Sequence, residues 1–313
     1  MHRNDMRQFL ARHRRILGEG AVIERLRRGG FVLDPNVVNS AFLYDPAKRS
    51  AIESIYRQYL DIGYQADLPL VLSTPTWRAS RARIEAAGYG ARDLNGDNFR
   101  LLDELRSSCG AYAQKVLICG LLSCRGNAYD PTQALGTDEA RQFHAWQAGM
   151  LASAGVDFLL AATLPALSEA LGLAFALAET GTPYVVSFVV RPEGTLLDGT
   201  PLKQALSAID DAVSPRPLAF MANCTHASFL KRALAHPEHS SARVRERIVG
   251  LFANTAALTP EELDDSESLV EEDPETFGRA VAGLHTELGL KILGGCCGTD
   301  ERHIRDLAER LAS

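Results

Sequence analysis

Short runs of β-branched and other apolar residues alternate along the chain with longer stretches in which apolar positions recur every three or four residues. That is the pattern of strands feeding helices in a parallel sheet. The runs end near Gly18, Ser73, Gly120, Ala161, Val190, Asn223, Asn254 and Gly294, and the spacing between them predicts helices over Ala47 to Ile62, Thr137 to Ala154, Leu164 to Glu179, Pro201 to Asp211 and Pro274 to Leu288. Eight such repeats suit an α/β fold of one kind, a single (β/α)8 TIM-type barrel occupying residues 1–313 as one domain. The competing architecture, an open doubly wound sheet, ordinarily carries a glycine-rich phosphate turn after an early strand. Gly18-Glu19-Gly20 is the nearest match and lacks the third glycine. The acidic segment Glu261 to Glu275 reads as a local loop or surface helix.

Composition narrows the function classes. Hydrophobic residues are 46% and charged residues 23% of the chain, which excludes disordered and fibrous classes. The formal net charge is −6, and the basic stretch Arg12-His13-Arg14-Arg15 is isolated, so nucleic acid is not an expected partner. No run of about 18 apolar residues and no signal-peptide pattern occurs, so a cytoplasmic protein with no membrane contact is expected. Six cysteines are too few for a disulfide scaffold in a chain this long, and a reducing compartment keeps them as thiols.

Three of those cysteines stand at strand ends. The apolar segment Pro217 to Ala222 runs into Asn223-Cys224-Thr225-His226, and Leu290-Lys291-Ile292-Leu293 runs into Gly294-Gly295-Cys296-Cys297-Gly298-Thr299. In a barrel both ends open on the carboxyl face, where active sites form. Three thiolates with a fourth position free are the donor set of a catalytic zinc ion, and sulfur selects zinc over magnesium or calcium. The flanking glycines let consecutive cysteines turn toward one centre. A lone buried cysteine is ordinarily an inert small hydrophobe. That is the expectation for Cys109, Cys119 and Cys124, which have no second pair or histidine nearby to complete a site.

The blocks Asn223-Cys224 and Gly294-Gly295-Cys296-Cys297-Gly298-Thr299, with Val186-Ser187-Phe188, Leu197-Asp198-Gly199-Thr200-Pro201-Leu202, Ala154-Gly155-Val156-Asp157 and Tyr59-Leu60-Asp61-Ile62-Gly63, resemble the homocysteine S-methyltransferase family, whose relatives include betaine-dependent and S-methylmethionine-dependent enzymes. The resemblance covers almost the whole chain. It implies a (β/α)8 barrel with Zn2+ on Cys224, Cys296 and Cys297, and methyl transfer from a sulfonium or ammonium donor to a zinc-bound thiol, by default homocysteine giving methionine. A free thiol titrates near pH 8.5 whereas a coordinated one is deprotonated, so the metal supplies the nucleophile and the protein supplies alignment. The partners so implied are small molecules. The candidate substrate-binding residues are Glu19, Thr163, Trp77 and Asn223, with Glu19 the candidate catalytic carboxylate. Trp77, Tyr129 and Phe143 are candidate aromatic faces for a cationic donor.

Two departures concern the acceptor. Glu19 stands where the family carries an Asp-Gly motif, and Ala162-Thr163-Leu164-Pro165 replaces Glu-Thr-Ile-Pro, removing the acid expected to meet the acceptor's ammonium group. Either Glu19 or another carboxylate compensates, or the acceptor is a different small thiol or selenol. A non-catalytic zinc-binding barrel is the competing reading from outside enzymology.

Overall fold

The computed structural model describes residues 5–237, 242–259, 261–262 and 272–313. Eight strands close into a barrel in chain order: β1 (Ile16–Gly18), β2 (Leu70–Ser73), β3 (Val116–Ser123), β4 (Phe158–Leu164), β5 (Tyr184–Phe188), β6 (Ala219–His226), β7 (Ile248–Asn254) and β8 (Ile292–Gly295). Every neighbouring pair is parallel, and β1 pairs with β8 as well as β2, so no edge is left open. Helices follow the strands and form the outer layer. The doubly wound alternative is thereby excluded.

Two-residue alternation sorts the strand side chains into two cores. Ile16, Val71, Leu117, Cys119, Phe158, Leu160, Ala162, Val185, Met221, Phe252 and Ile292 fill the barrel interior. Leu17, Leu70, Leu72, Val116 and Ile118 instead face the helices. Cys119 belongs to the interior and Cys124 to the outer core, with Cys109 packed against the latter, in keeping with their reading as core residues.

The helices predicted at Thr137–Ala154 and Pro274–Leu288 have those bounds. Their ends are marked by Gly155 and Gly289, whose φ of 102° and 74° stop a helix without a Cβ penalty. The helix expected from Leu164 begins at Leu167 instead, because β4 continues through an irregularity at Thr163 and claims Leu164. The first and fourth helices span Pro46–Gln65 and Leu202–Ala212. Of the acidic segment 261–275, residues 263–271 lie outside the described residues.

Several helices lie outside the predicted set, Leu94–Ser107 and Glu301–Ala312 the longest of them, and one short helix plugs the barrel. A helix over Met6–Arg12, capped by the Asp5 side chain, inserts Met6 and Phe9 into the interior core, and the Lys291 ammonium just ahead of β8 donates to Leu10 O at 2.9 Å. This helix stoppers the amino end of the barrel. Among the described residues no helix is long and apolar enough to cross a membrane.

Candidate metal and acceptor site

Cys224 leaves the regular pleat of β6. Its φ is 50°, and the pairing with β7 shifts register between Asn223 and Thr225. A residue inserted in this way re-aims its side chain out of the strand's alternation. β4 has a matching irregularity, with Thr163 at φ 58° and a register shift between Ala161 and Leu164. A left-handed backbone is costly for a β-branched residue, on the order of 1–3 kcal/mol, and needs local compensation.

Asn223 provides it. The side-chain oxygen accepts from Thr163 N at 2.8 Å and from Ser187 Oγ of β5 at 2.7 Å. The amide nitrogen donates to Thr163 Oγ1 at 2.7 Å and to Cys224 Sγ at 3.6 Å. One buried amide thus joins β4, β5 and β6, with all four of its hydrogen-bonding positions occupied by protein.

Cys296 and Cys297 follow β8 directly. A Cβ on Gly294 would lie 2.7 Å from Gly18 Cα, so only glycine lets β8 run this close to β1. The turn beyond is fixed by Cys296 N donating to Ala253 O at 2.7 Å, Cys297 N to Asn254 Oδ1 at 3.2 Å, and Gly298 N to a Glu24 carboxylate oxygen at 2.5 Å. Gly298 is left-handed, φ 84°, and a Cβ there would lie 1.9 Å from Thr255 Oγ1.

The two strand ends bring Cys224, Cys296 and Cys297 together with all three sulfurs within 4.8 Å of one another, and with Cys224 Sγ 2.8 Å from Cys296 Sγ. Among the described residues this is the one cluster of histidine, cysteine or acidic side chains able to hold a metal. Hydrogen bonds within the trio pull in both directions, the first lowering Cys224 and Cys297 and raising Cys296, while burial and the charge of a neighbouring thiol raise all three, and the net shift of each thiol is well above the ordinary range. Three thiolates cannot form side by side here without a cation to neutralise them. Beside them the Asn254 amide nitrogen is buried without a partner, a donor free for an anionic group. Soft sulfur ligands in mutual proximity fit a bound thiophilic cation.

Val189 and Leu197 wall the trio, and Tyr129 packs against it. Burial, followed by the charge of the neighbouring thiols, keeps the Tyr129 hydroxyl a protonated phenol. Tyr129 therefore stands beside the cysteines. Trp77 is half-buried on the loop after β2, its ring covered by the Arg78 guanidinium at 4.3 Å. Phe143 sits on the helix Thr137–Ala154 against the His144 ring.

Glu19 is buried at the end of β1 and its Oε2 accepts from Ser73 N at 3.1 Å. Burial pushes its carboxyl up to about 8, against the opposing pull of the Ser73 hydrogen bonds. Ala162 lies in the apolar interior core and offers an ammonium nothing.

Residues 16–311 match the homocysteine S-methyltransferase family. The chain belongs to that family. It is 24% identical to the homocysteine S-methyltransferase YbgG of Bacillus subtilis, with 97% of each chain covered. It is also 23% identical to the bovine betaine–homocysteine S-methyltransferase 1, over 95% of this chain and 72% of that protein. The crystal structure of the homocysteine methyltransferase MmuM from Escherichia coli in its metallated form shares the fold, with a TM-score of 0.76 at 22% identity, covering 97% of this chain and 99% of that one.

Within this methyltransferase, sequence reasoning passes over Glu24 and Asn254. Glu24 is the carboxylate whose charge bears on Cys296 and Cys297, and it holds the turn that carries them. Its one legible signal is an acid in the first turn of the helix Ile23–Arg28 that follows β1.

Proposed function

We propose that this chain is a zinc-dependent thiol S-methyltransferase that moves a methyl group from a sulfonium or ammonium donor to homocysteine, giving methionine. The observation that carries the reading is the convergence of Cys224, Cys296 and Cys297 from two strand ends at one mouth of the barrel, in a chain of this family. When bound, zinc supplies a deprotonated acceptor thiol at neutral pH. The chain's own residues do the rest. Asn223 aims Cys224, the Glu24-tied turn aims Cys296 and Cys297, and Val189 and Leu197 give the trio an apolar wall. Glu19, Thr163 and Trp77 are the candidate substrate contacts, and Asn223 serves that role through Thr163. Free thiols of this kind suit a cytoplasmic setting.

The test is metal analysis of the purified chain together with methyl transfer to homocysteine from betaine and from S-methylmethionine. About one zinc per chain with turnover from either donor supports the reading, and metal binding without turnover across a broad donor panel favours a binding protein instead. The apolar surroundings of Ala162 favour one variant of this function, in which the acceptor is a thiol or selenol that lacks an ammonium group. Acceptor profiling separates the two.

A further inference from the structure

The loop between β3 and the helix Thr137–Ala154 is held more firmly than a surface connection requires. Glu169, fully buried on the helix Leu167–Glu179, accepts from Arg125 N at 2.7 Å with one oxygen and from Leu135 N at 3.1 Å with the other. The buried His144 ring meets the same carboxylate at 3.0 Å. On the other flank, Arg78 Nη1 donates to the carbonyls of Cys124, Arg125 and Gly126 at 3.1, 2.9 and 2.6 Å. Inside the loop Asn127 Oδ1 accepts from Tyr129 N at 3.0 Å, and Asn127 N donates to Gln133 Oε1 at 3.0 Å. A buried carboxylate is costly to desolvate, and this one is committed to the two ends of a single loop. The residue that loop delivers is Tyr129, which packs into one cluster with Cys224, Cys296 and Cys297 at the barrel mouth.

We infer that Tyr129 is a positioning residue of the metal centre, its phenol donating a hydrogen bond to the Cys297 and Cys224 sulfurs, on a loop that Glu169 and Arg78 hold over the barrel mouth for that purpose. The inference rests on the reading of the three cysteines as metal ligands. A phenol donating to a thiolate forms a charge-assisted bond. It draws electron density from sulfur, so a cation held by three thiolates retains more pull on an acceptor thiol. Partners of this kind, one bond removed from the metal, commonly change affinity or activity by roughly 10–100-fold.

The experiment uses the full chain loaded with cobalt(II), whose thiolate-to-metal charge-transfer bands report the electron density on sulfur. Tyr129→Phe keeps the ring and its packing, and should move those bands to lower energy and weaken acceptor-thiol binding about tenfold. Glu169→Gln should shift them in the same direction, and the double variant should shift them no further than Tyr129→Phe alone. Thermal melts confirm that each variant is folded, and the bands of Tyr129→Phe are decisive by themselves. Bands in Tyr129→Phe superimposable on the parent's would overturn the inference while leaving the metal centre intact. A parent that shows no thiolate-to-cobalt bands would overturn the metal reading and the inference with it, and is told apart because the parent itself fails.

Discussion

Asn223 and Thr163 stand 60 residues apart and close a two-point clasp, in which the asparagine oxygen takes the threonine backbone N–H and the asparagine nitrogen gives to the threonine hydroxyl. Both partners flank or occupy a left-handed position, Thr163 itself and Cys224 next to Asn223. Removing the clasp by Asn223→Ala leaves buried donors unpaired and two strained positions unsupported. Folding stability should fall by roughly 1–3 kcal/mol or more in urea denaturation. Metal affinity should fall with it, since Cys224 loses its aim. A variant with parental stability would show that the bulges hold themselves.

Cys224→Ser, Cys296→Ser and Cys297→Ser should each lower metal affinity by more than the roughly 10–100-fold that loss of an indirect partner costs. Chelator competition measures this. Cys119→Ser, in the interior core and outside the trio, should leave the metal in place. Full occupancy in all three single variants of the trio would discard the proposed ligand set.

The Glu19 carboxyl is raised from 4.5 to about 8 in the folded chain, with burial as the main cause. The folded state therefore retains a proton that the unfolded chain gives up near pH 4.5. The stability tied to this group is complete below that pH and is lost as pH rises through about 8. Stability profiles across the range from mildly acidic to mildly alkaline should decline less steeply in Glu19→Gln than in the parent. Parallel profiles would show that Glu19 contributes nothing to the pH dependence.

If homocysteine is the acceptor and Glu19 meets its ammonium group, Glu19→Ala should raise the acceptor KM and leave metal affinity unchanged, with a loss of roughly 1–3 kcal/mol in binding. Ala162→Glu should then add little. The opposite pattern, an inactive parent on homocysteine and a gain of activity in Ala162→Glu, would assign the chain a different acceptor.

Two glycines should respond to alanine with opposite signs. Gly298→Ala forces a left-handed residue and a contact 1.9 Å from Thr255 Oγ1, so stability and metal affinity should both drop. Gly149 lies within the helix Thr137–Ala154 with nothing within 4 Å of a new Cβ, and Gly149→Ala should stabilise by about 0.5–1 kcal/mol. Thermal melts of the pair decide it.

The barrel is legible in the sequence because its signals are local. Apolar runs mark Gly18, Ser73 and Asn254 as strand ends, and helix stops at Gly155 and Gly289 follow from one residue's conformational freedom. The cysteine-bearing strand ends are legible for the same reason. What escapes depends on contacts between distant segments. The left-handed turns at Thr163 and Cys224 exist because Asn223 reaches across two strands, and no window of sequence around Thr163 contains that fact. The Met6–Arg12 helix is too short for its periodicity to stand out. The partnership of Tyr129 with the cysteines arises from Glu169, which lies 40 residues further along.

The helix Met6–Arg12 has a kinetic corollary. With Met6 and Phe9 seated in the interior core, the floor of the barrel is plugged, and both substrates are left to enter from the carboxyl face where the cysteines lie. A thiol and a methyl donor that must meet near the same sulfurs would have to queue, the one bound deeper arriving first and departing last. Initial-rate plots should then intersect, and the shallower product alone should inhibit without competing against the deeper substrate. A steady-state experiment can thus read a structural property of seven residues at the opposite end of the molecule.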